Sequence, residues 1–385
     1  MLKRFEVSNY KNFKKPLVVD FGRVGGYQFN LDCISDKTLS KMFIYGRNAT
    51  GKTNLGYALF DIASILNDTV LIRKHGEFFL NADAEEDYAS FSYTFQFGED
   101  EIVYCYKKSA VLNLIDEEMF LNGKKLFHCN FINREVSDLD LKDIYPDPVN
   151  SDRFIEVLEA NSDITQDEDG IQVVLPFFRW LTSNIALTPD SALMKLRNFI
   201  QKMRYVPVSH PDIGRFSLQS FYKSLEKEEN LQDFEEFLNT MGVDCKLQCQ
   251  KLPDGQNELY FKHKTPLPFS ETASSGTYAL TTLYRRLQIM KSLSLVYMDE
   301  FDAFYHFEMS DNIVRYIKHA FPNCQVIFTT HNTNLMSNHL LRPDCVCILS
   351  RDGKLTPLCD ATPRELREGH NLEKMFISGE FNRYE

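Results

Sequence analysis

Long apolar runs are missing from this 385-residue chain. No stretch approaches the ~20 consecutive apolar residues that a membrane-spanning helix requires. The start, Met1-Leu2-Lys3-Arg4-Phe5, runs directly into alternating sequence without the apolar core of a signal peptide. A cytoplasmic protein with no membrane partner is the expectation. Cysteine is present but unorganised: nine residues, an odd number at irregular spacing. Neither Cys245/Cys249 nor Cys345/Cys347 has the second CxxC or the HxxxH that would complete a zinc site, so all read as ordinary buried thiols. An excess of basic charge is lacking too. The net charge is −11, whereas duplex DNA binding draws its affinity largely from phosphate neutralisation, so the balance argues against a dedicated DNA binder. No internal repeat is evident, and no heptad pattern is long enough for an extended coiled coil.

What remains is an ordinary globular composition, 43% hydrophobic and 25% charged, with 31 Phe and 18 Tyr to pack. Phe5 to Tyr10 alternates as an edge strand does, and Leu17 to Phe21 follows as a second strand. Met42-Phe43-Ile44-Tyr45 is a short run with no polar interruption, the pattern of a strand buried on both sheet faces. A helical pattern then runs from Lys52 through Ile65. Strict alternation between Tyr88 and Lys108, turned at Gly98-Glu99-Asp100, predicts an antiparallel hairpin. Phe221, Leu225, Leu231, Phe234, Phe237 and Leu238 fit one amphipathic helix. Near the end, Leu293–Met298, 325–328 and Val346–Leu349 read as further buried strands between helices. Strand–helix alternation at both ends implies one α/β sheet built from two sequence blocks, with the middle inserted.

Three segments carry chemistry. Gly46-Arg47-Asn48-Ala49-Thr50-Gly51-Lys52-Thr53 fits GxxxxGK[ST] between a predicted strand and a helix. Gly46, Asn48 and Gly51 belong to a loop whose backbone N–H groups wrap a phosphate. Lys52 reaches the β- and γ-phosphates of ATP, and Thr53 holds Mg²⁺. Next, Leu293 to Met298 ends in Asp299-Glu300. Beside a phosphate-binding loop, Asp299 fits the outer shell of the metal and Glu300 the base that orients and deprotonates water. Finally, Thr329-Thr330-His331 closes another buried strand, where α/β sheets place their ligand sites, and His331 fits a γ-phosphate sensor. Glu271 to Leu280 contains a Ser274-Ser275-Gly276-Thr277 turn opening a helix, which by itself is either a plain cap or an anion site.

In this order the segments resemble the ABC ATPases, specifically the compact branch that includes the overcoming-lysogenization-defect proteins and the ATPases of bacterial anti-phage systems. The likeness rests on Asn9-Tyr10-Lys11-Asn12-Phe13, Gly46 to Thr53, Ser274 to Thr277, Asp299-Glu300 and Thr330-His331. It covers roughly residues 1–110 and 265–385. It implies an ABC-ATPase-like P-loop core (a mixed sheet with flanking helices) made of those two blocks, plus an inserted, largely helical partner-binding lobe at 111–264. It further implies a second copy of the chain, joined head to tail, whose Ser274, Ser275 and Gly276 reach the ATP held by the first. Asp302 looks like the residue that crosses that interface. Gln96 is a candidate for the glutamine that follows nucleotide state, and His306 sits where relatives carry Leu-His-Pro. The nuclease domain of the overcoming-lysogenization-defect enzymes has no room in the roughly 50 residues after His331. A separate effector, a nuclease or toxin, is the implied partner, in an anti-phage role. A RecF-like DNA-repair ATPase and a nucleotide-locked scaffold holding a toxin are the alternatives.

Overall fold

The computed structural model describes residues 1–67, 78–145, 147–162, 174–207 and 215–384. Strands β1 (Leu2–Ser8) and β2 (Leu17–Asp20) open the chain, and β3 (Lys41–Tyr45) is buried along its whole length. A meander follows: β4 (Ala89–Phe97), β5 (Asp100–Ala110), β6 (Asn113–Leu121), β7 (Lys124–Asn130) and β8 (Glu135–Ser137). Later come β9 (Met203–Val206), β10 (Leu295–Met298), β11 (Gln325–Thr330), β12 (Val346–Leu349) and β13 (Leu355–Pro357).

These strands form two large sheets, not the single one expected. The first is antiparallel throughout, in the order β8-β7-β6-β5-β4-β1-β2. Its Phe5, Val7, Phe91, Tyr93, Phe95, Tyr104 and Tyr106 are buried, while alternate residues such as Ser90, Ser92 and Thr94 are only half-buried. One packed face and one wet face is what antiparallel alternation produces. The second sheet runs β9-β10-β11-β3-β12-β13 and is parallel except for its last pair. Every residue of β3, β10, β11 and β12 is buried, which is why those strands read as unbroken apolar runs.

Two expectations about position change. β1 is not an edge: it lies between β4 and β2. Nor does the core stop at residue 110, because β6 to β8 continue the antiparallel sheet and β9 joins the parallel one. Asp116-Glu117-Glu118 hides the alternation of β6 from a sequence reading. Glu117 is nevertheless fully buried, accepting hydrogen bonds from Phe177 N (2.7 Å), Phe178 N (2.9 Å) and the Tyr104 hydroxyl (2.9 Å). Those two amides open a helix and would otherwise be without partners. Burial pushes the Glu117 carboxyl up to about 7 against the pull of these donors.

The helices are α1 (Lys52–Leu59), α2 (Asp61–Asn67), α3 (Asp152–Ser162), α4 (Phe177–Asn184), α5 (Ala192–Gln201), α6 (Arg215–Ser224), α7 (Glu228–Thr240), α8 (Phe269–Thr272), α9 (Ser275–Met290), α10 (Phe307–Ala320) and α11 (Leu372–Ile377). The helix expected from Lys52 through Ile65 is two, hinged at Phe60, and the one expected over 221–238 is α6 and α7, parted by an extended Lys227. Asp61 at the start of α2 meets Lys108 of β5 at 2.7 Å with both side chains fully buried, and the Tyr106 hydroxyl adds a bond of 2.9 Å. This ion pair ties the phosphate-loop helices to the antiparallel sheet. Among the described residues no helix is long and apolar enough to cross a membrane.

Candidate functional site

The loop between β3 and α1 is shaped by its two glycines. Gly51 has φ 101°, a left-handed conformation, and a Cβ there would lie 2.3 Å from the Asn12 side chain. At Gly46 a Cβ would meet Thr50 Oγ1 at 2.5 Å and the Leu349 carbonyl at 3.0 Å. No other residue type fits either position without displacing a neighbour. Asn12, from the Asn9–Phe13 turn, donates to the Thr50 carbonyl at 3.0 Å and accepts from Asn54 at 2.7 Å, bracing the loop from below. Arg47, Asn48 and Ala49 form the exposed crest. The backbone N–H groups of Asn48, Ala49 and Gly51 make no bond among the described residues, and the first turn of α1 presents more. Lys52 is 4% exposed, and its ammonium folds back onto the carbonyls of Gly46 (2.8 Å) and Arg47 (3.3 Å). Burial lowers its pKa, while the carboxylates of Glu300, Asp299 and Asp302 pull the other way. The cradle is a concave set of donors with a buried cation at its base, suited to a polyphosphate.

The carboxyl ends of β9, β10 and β11 supply the rest. Asp299, just past β10, is buried, and three hydroxyls converge on it. Thr53 donates to Oδ2 at 2.7 Å, Tyr205 to the same oxygen at 3.0 Å, and Thr329 to Oδ1 at 2.7 Å. Thr329 also accepts from the Glu300 amide at 2.7 Å, so one hydroxyl links the two acids. Glu300 has φ 41°, an uncommon conformation for a non-glycine residue. It is half-buried beside the loop, with its backbone turned by that bond. Thr53 and Asp299 fit Mg²⁺: a hydroxyl spends its proton on the carboxylate and keeps its lone pairs free. Such an ion needs only one or two protein oxygens beside phosphates and water. Among the described residues there is no cluster of three His, Cys, Asp or Glu that would hold a metal alone.

The structure therefore brings Lys52, Thr53, Asp299, Thr329 and Glu300 together. His331 follows β11 directly and is exposed. Asp302 turns inward instead of outward. Its Oδ2 accepts from Thr330 at 2.8 Å and its buried Oδ1 has no hydrogen-bond partner among the described residues, while Ala303 and Phe304 lie on the surface. Ser274 and Ser275 are exposed at the start of α9, and among the described residues the Ser274 hydroxyl bonds Thr277 alone, within its own turn. His306 is the exposed residue preceding α10. Gln96 is placed elsewhere: its side chain donates to the Gly98 carbonyl in the β4–β5 turn at 2.8 Å, away from the acid cluster.

Sequence reasoning missed Tyr205, Thr329 and the bracing role of Asn12. Tyr205 is 6% exposed, and burial together with Asp299 raises its pKa, so the phenol stays a donor. The signal was faint: Met203 to Val206 is a short run with one Arg, ahead of Pro207.

A phosphate-binding loop after β3 and an Asp-Glu pair after β10, two strands that flank β11 in a parallel sheet, with an antiparallel sheet beside it, define a P-loop ATPase fold of the ABC type. Over residues 41–337 the sequence matches the family described as "AAA domain, putative AbiEii toxin, Type IV TA system", and the chain belongs to that family. It is also similar to solved SMC heads. The SMC head domain from Thermotoga maritima is 14% identical, covering 92% of this chain and 98% of that one, with a TM-score of 0.43. The Smc head from Pyrococcus furiosus, with an extended coiled coil and bound to the C-terminal domain of ScpA, is 16% identical over 99% of both chains, with a TM-score of 0.44. The Smc head with a coiled coil and joint from Pyrococcus yayanosii gives 14%, 98% and 99%, with a TM-score of 0.47. No curated protein matches the sequence.

Proposed function

We propose that the chain binds and hydrolyses ATP with Mg²⁺ in a site completed by a second copy, and that this cycle controls a separate effector in bacterial anti-phage defence. The observation that carries the reading is the chain of bonds Thr53–Asp299–Thr329–Glu300, which joins the phosphate loop to both acids. Lys52 exchanges its two loop carbonyls for β- and γ-phosphate oxygens. Thr53 and Asp299 hold Mg²⁺, which supplies charge neutralisation at the phosphates. Glu300, its backbone pinned by Thr329, orients water and takes its proton. His331, exposed just past β11, donates a ring N–H to the γ-phosphate in this reading. The exposed Ser274-Ser275-Gly276 turn is free to approach a partner's ATP, because its hydroxyl bonds stay local. The surface residues Ala303 and Phe304, which follow the inward-turned Asp302, belong to the same contact. The defence role is supported by the family's description, which names a toxin of a toxin–antitoxin system.

Glu300→Gln tests the chemistry. It keeps size and hydrogen bonding and loses the base, so phosphate release is expected to fall at least a hundredfold with ATP affinity retained by calorimetry. Hydrolysis at the unmodified rate would remove Glu300 from the role. Turnover measured with and without DNA separates this reading from a DNA-repair ATPase.

A further inference from the structure

We infer that Tyr205 is a positioning residue for Asp299, and that through it the middle of the chain sets how tightly the site takes its metal. The inference rests on the proposed use of Asp299 toward Mg²⁺. An ionised carboxylate offers about four lone-pair positions. At Asp299 three are filled by the hydroxyls of Thr53, Tyr205 and Thr329, which leaves one for a water of the metal's shell. The three donors differ in what holds them. Thr53 belongs to the phosphate loop and Thr329 to the neighbouring strand β11. Tyr205 comes from β9, the edge strand supplied by the segment that sequence alone assigns to an insert.

The phenol is locked by packing. Tyr205 stacks on Tyr297 with centroids 5.7 Å apart and planes 17° apart, and it lies 5.2 Å from the Tyr57 ring and 6.0 Å from Phe60. Tyr205 and Tyr297 are also partners in the β9–β10 register. Gly56 leaves room for both rings, since a Cβ there would approach Tyr205 to 2.6 Å and Tyr297 to 2.7 Å. Tyr297 in turn donates to the Lys52 carbonyl. The two tyrosines thus clamp α1 to β10, one at the helix backbone and one at the acid. Without the Tyr205 hydroxyl, Asp299 loses its bond to β9, and water takes the opened position on Oδ2. Removing a partner that orients a metal-holding group lowers metal affinity roughly 10–100-fold.

The test uses the full chain with ATP. Mg²⁺ is titrated in while nucleotide affinity is followed by calorimetry, and Mn²⁺ binding is followed by electron paramagnetic resonance, so neither readout requires turnover. Tyr205→Phe is expected to raise the Mg²⁺ and Mn²⁺ midpoints about tenfold and to leave ATP affinity in EDTA unchanged. Gly56→Ala, which pushes the same ring from the helix side, should move both midpoints in the same direction. Phe95→Leu, a buried ring on the antiparallel sheet, should lower thermal stability and leave both midpoints in place. Metal midpoints unchanged in Tyr205→Phe and Gly56→Ala, with Asp299→Asn raising them, would overturn the positioning role and spare the metal reading. Midpoints unmoved by Asp299→Asn would overturn the metal reading and this inference with it.

Discussion

Lys52 shows how a single residue can be both buried and charged. Its ammonium is kept by two loop carbonyls at 2.8 and 3.3 Å and by the field of three nearby acids. Neutral carbonyls are weaker partners than phosphate oxygens, because bonds between ionised groups are about twice as strong. Lys52→Ala removes a contact of about 1.5–3 kcal/mol, so ATP affinity measured by calorimetry should fall roughly ten- to a hundredfold while the melting temperature changes little. Unchanged affinity would mean that the loop does not hold the nucleotide. Residues of this kind are legible in sequence because their chemistry is local: GxxxxGK[ST] spans eight positions, and Asp299-Glu300 closes one strand. Tyr205 was opaque as a partner because it meets Asp299 from 94 positions away. No local pattern encodes that meeting.

At the scale of elements, α1 depends on a glycine that a helix would ordinarily disfavour. An alanine at position 56 would gain about 1 kcal/mol of helix propensity. Against this stands a contact of 2.6–2.7 Å with two buried tyrosine rings, and overpacking a tight interior costs about 1–3 kcal/mol. Overpacking wins, so Gly56→Ala should lower the unfolding free energy by about 1 kcal/mol in urea titrations. A more stable Gly56→Ala protein would show that the rings yield freely. Element boundaries expose the limits of pattern reading. The parallel strands β3, β10, β11 and β12 were legible as apolar runs. β6 was not, because its three acids mask the alternation and Glu117 is tolerated through the amides of α4 and the Tyr104 hydroxyl. The single helix expected over 221–238 failed at Lys227, where periodicity continues but the backbone is extended. The division into two sheets was also out of reach, since alternation reports a strand's faces and not its neighbours.

For the whole molecule, the exposed turn that opens α9 is the feature that one copy leaves unused. Ser274 and Thr277 bond within that turn, while the phosphate loop and acids gather elsewhere in the chain. An account in which two copies share each nucleotide makes both facts consistent. Gly276 has open space around it, with Ser274 Oγ at 3.7 Å the nearest side-chain atom to a built Cβ. Gly276→Glu should therefore fold normally and bind ATP with ordinary affinity. In a closed pair its carboxylate would face the partner's γ-phosphate, and like charges in a dry site repel strongly. The direct measurement is solution mass by light scattering with saturating Mg-ATP, in a background of Glu300→Gln so that the nucleotide persists. Glu300→Gln is expected at twice the 44.8 kDa chain mass. Glu300→Gln with Gly276→Glu is expected at the single-chain mass with nucleotide still bound. A single-chain mass for Glu300→Gln itself, together with full hydrolysis by Gly276→Glu alone, would contradict the shared site.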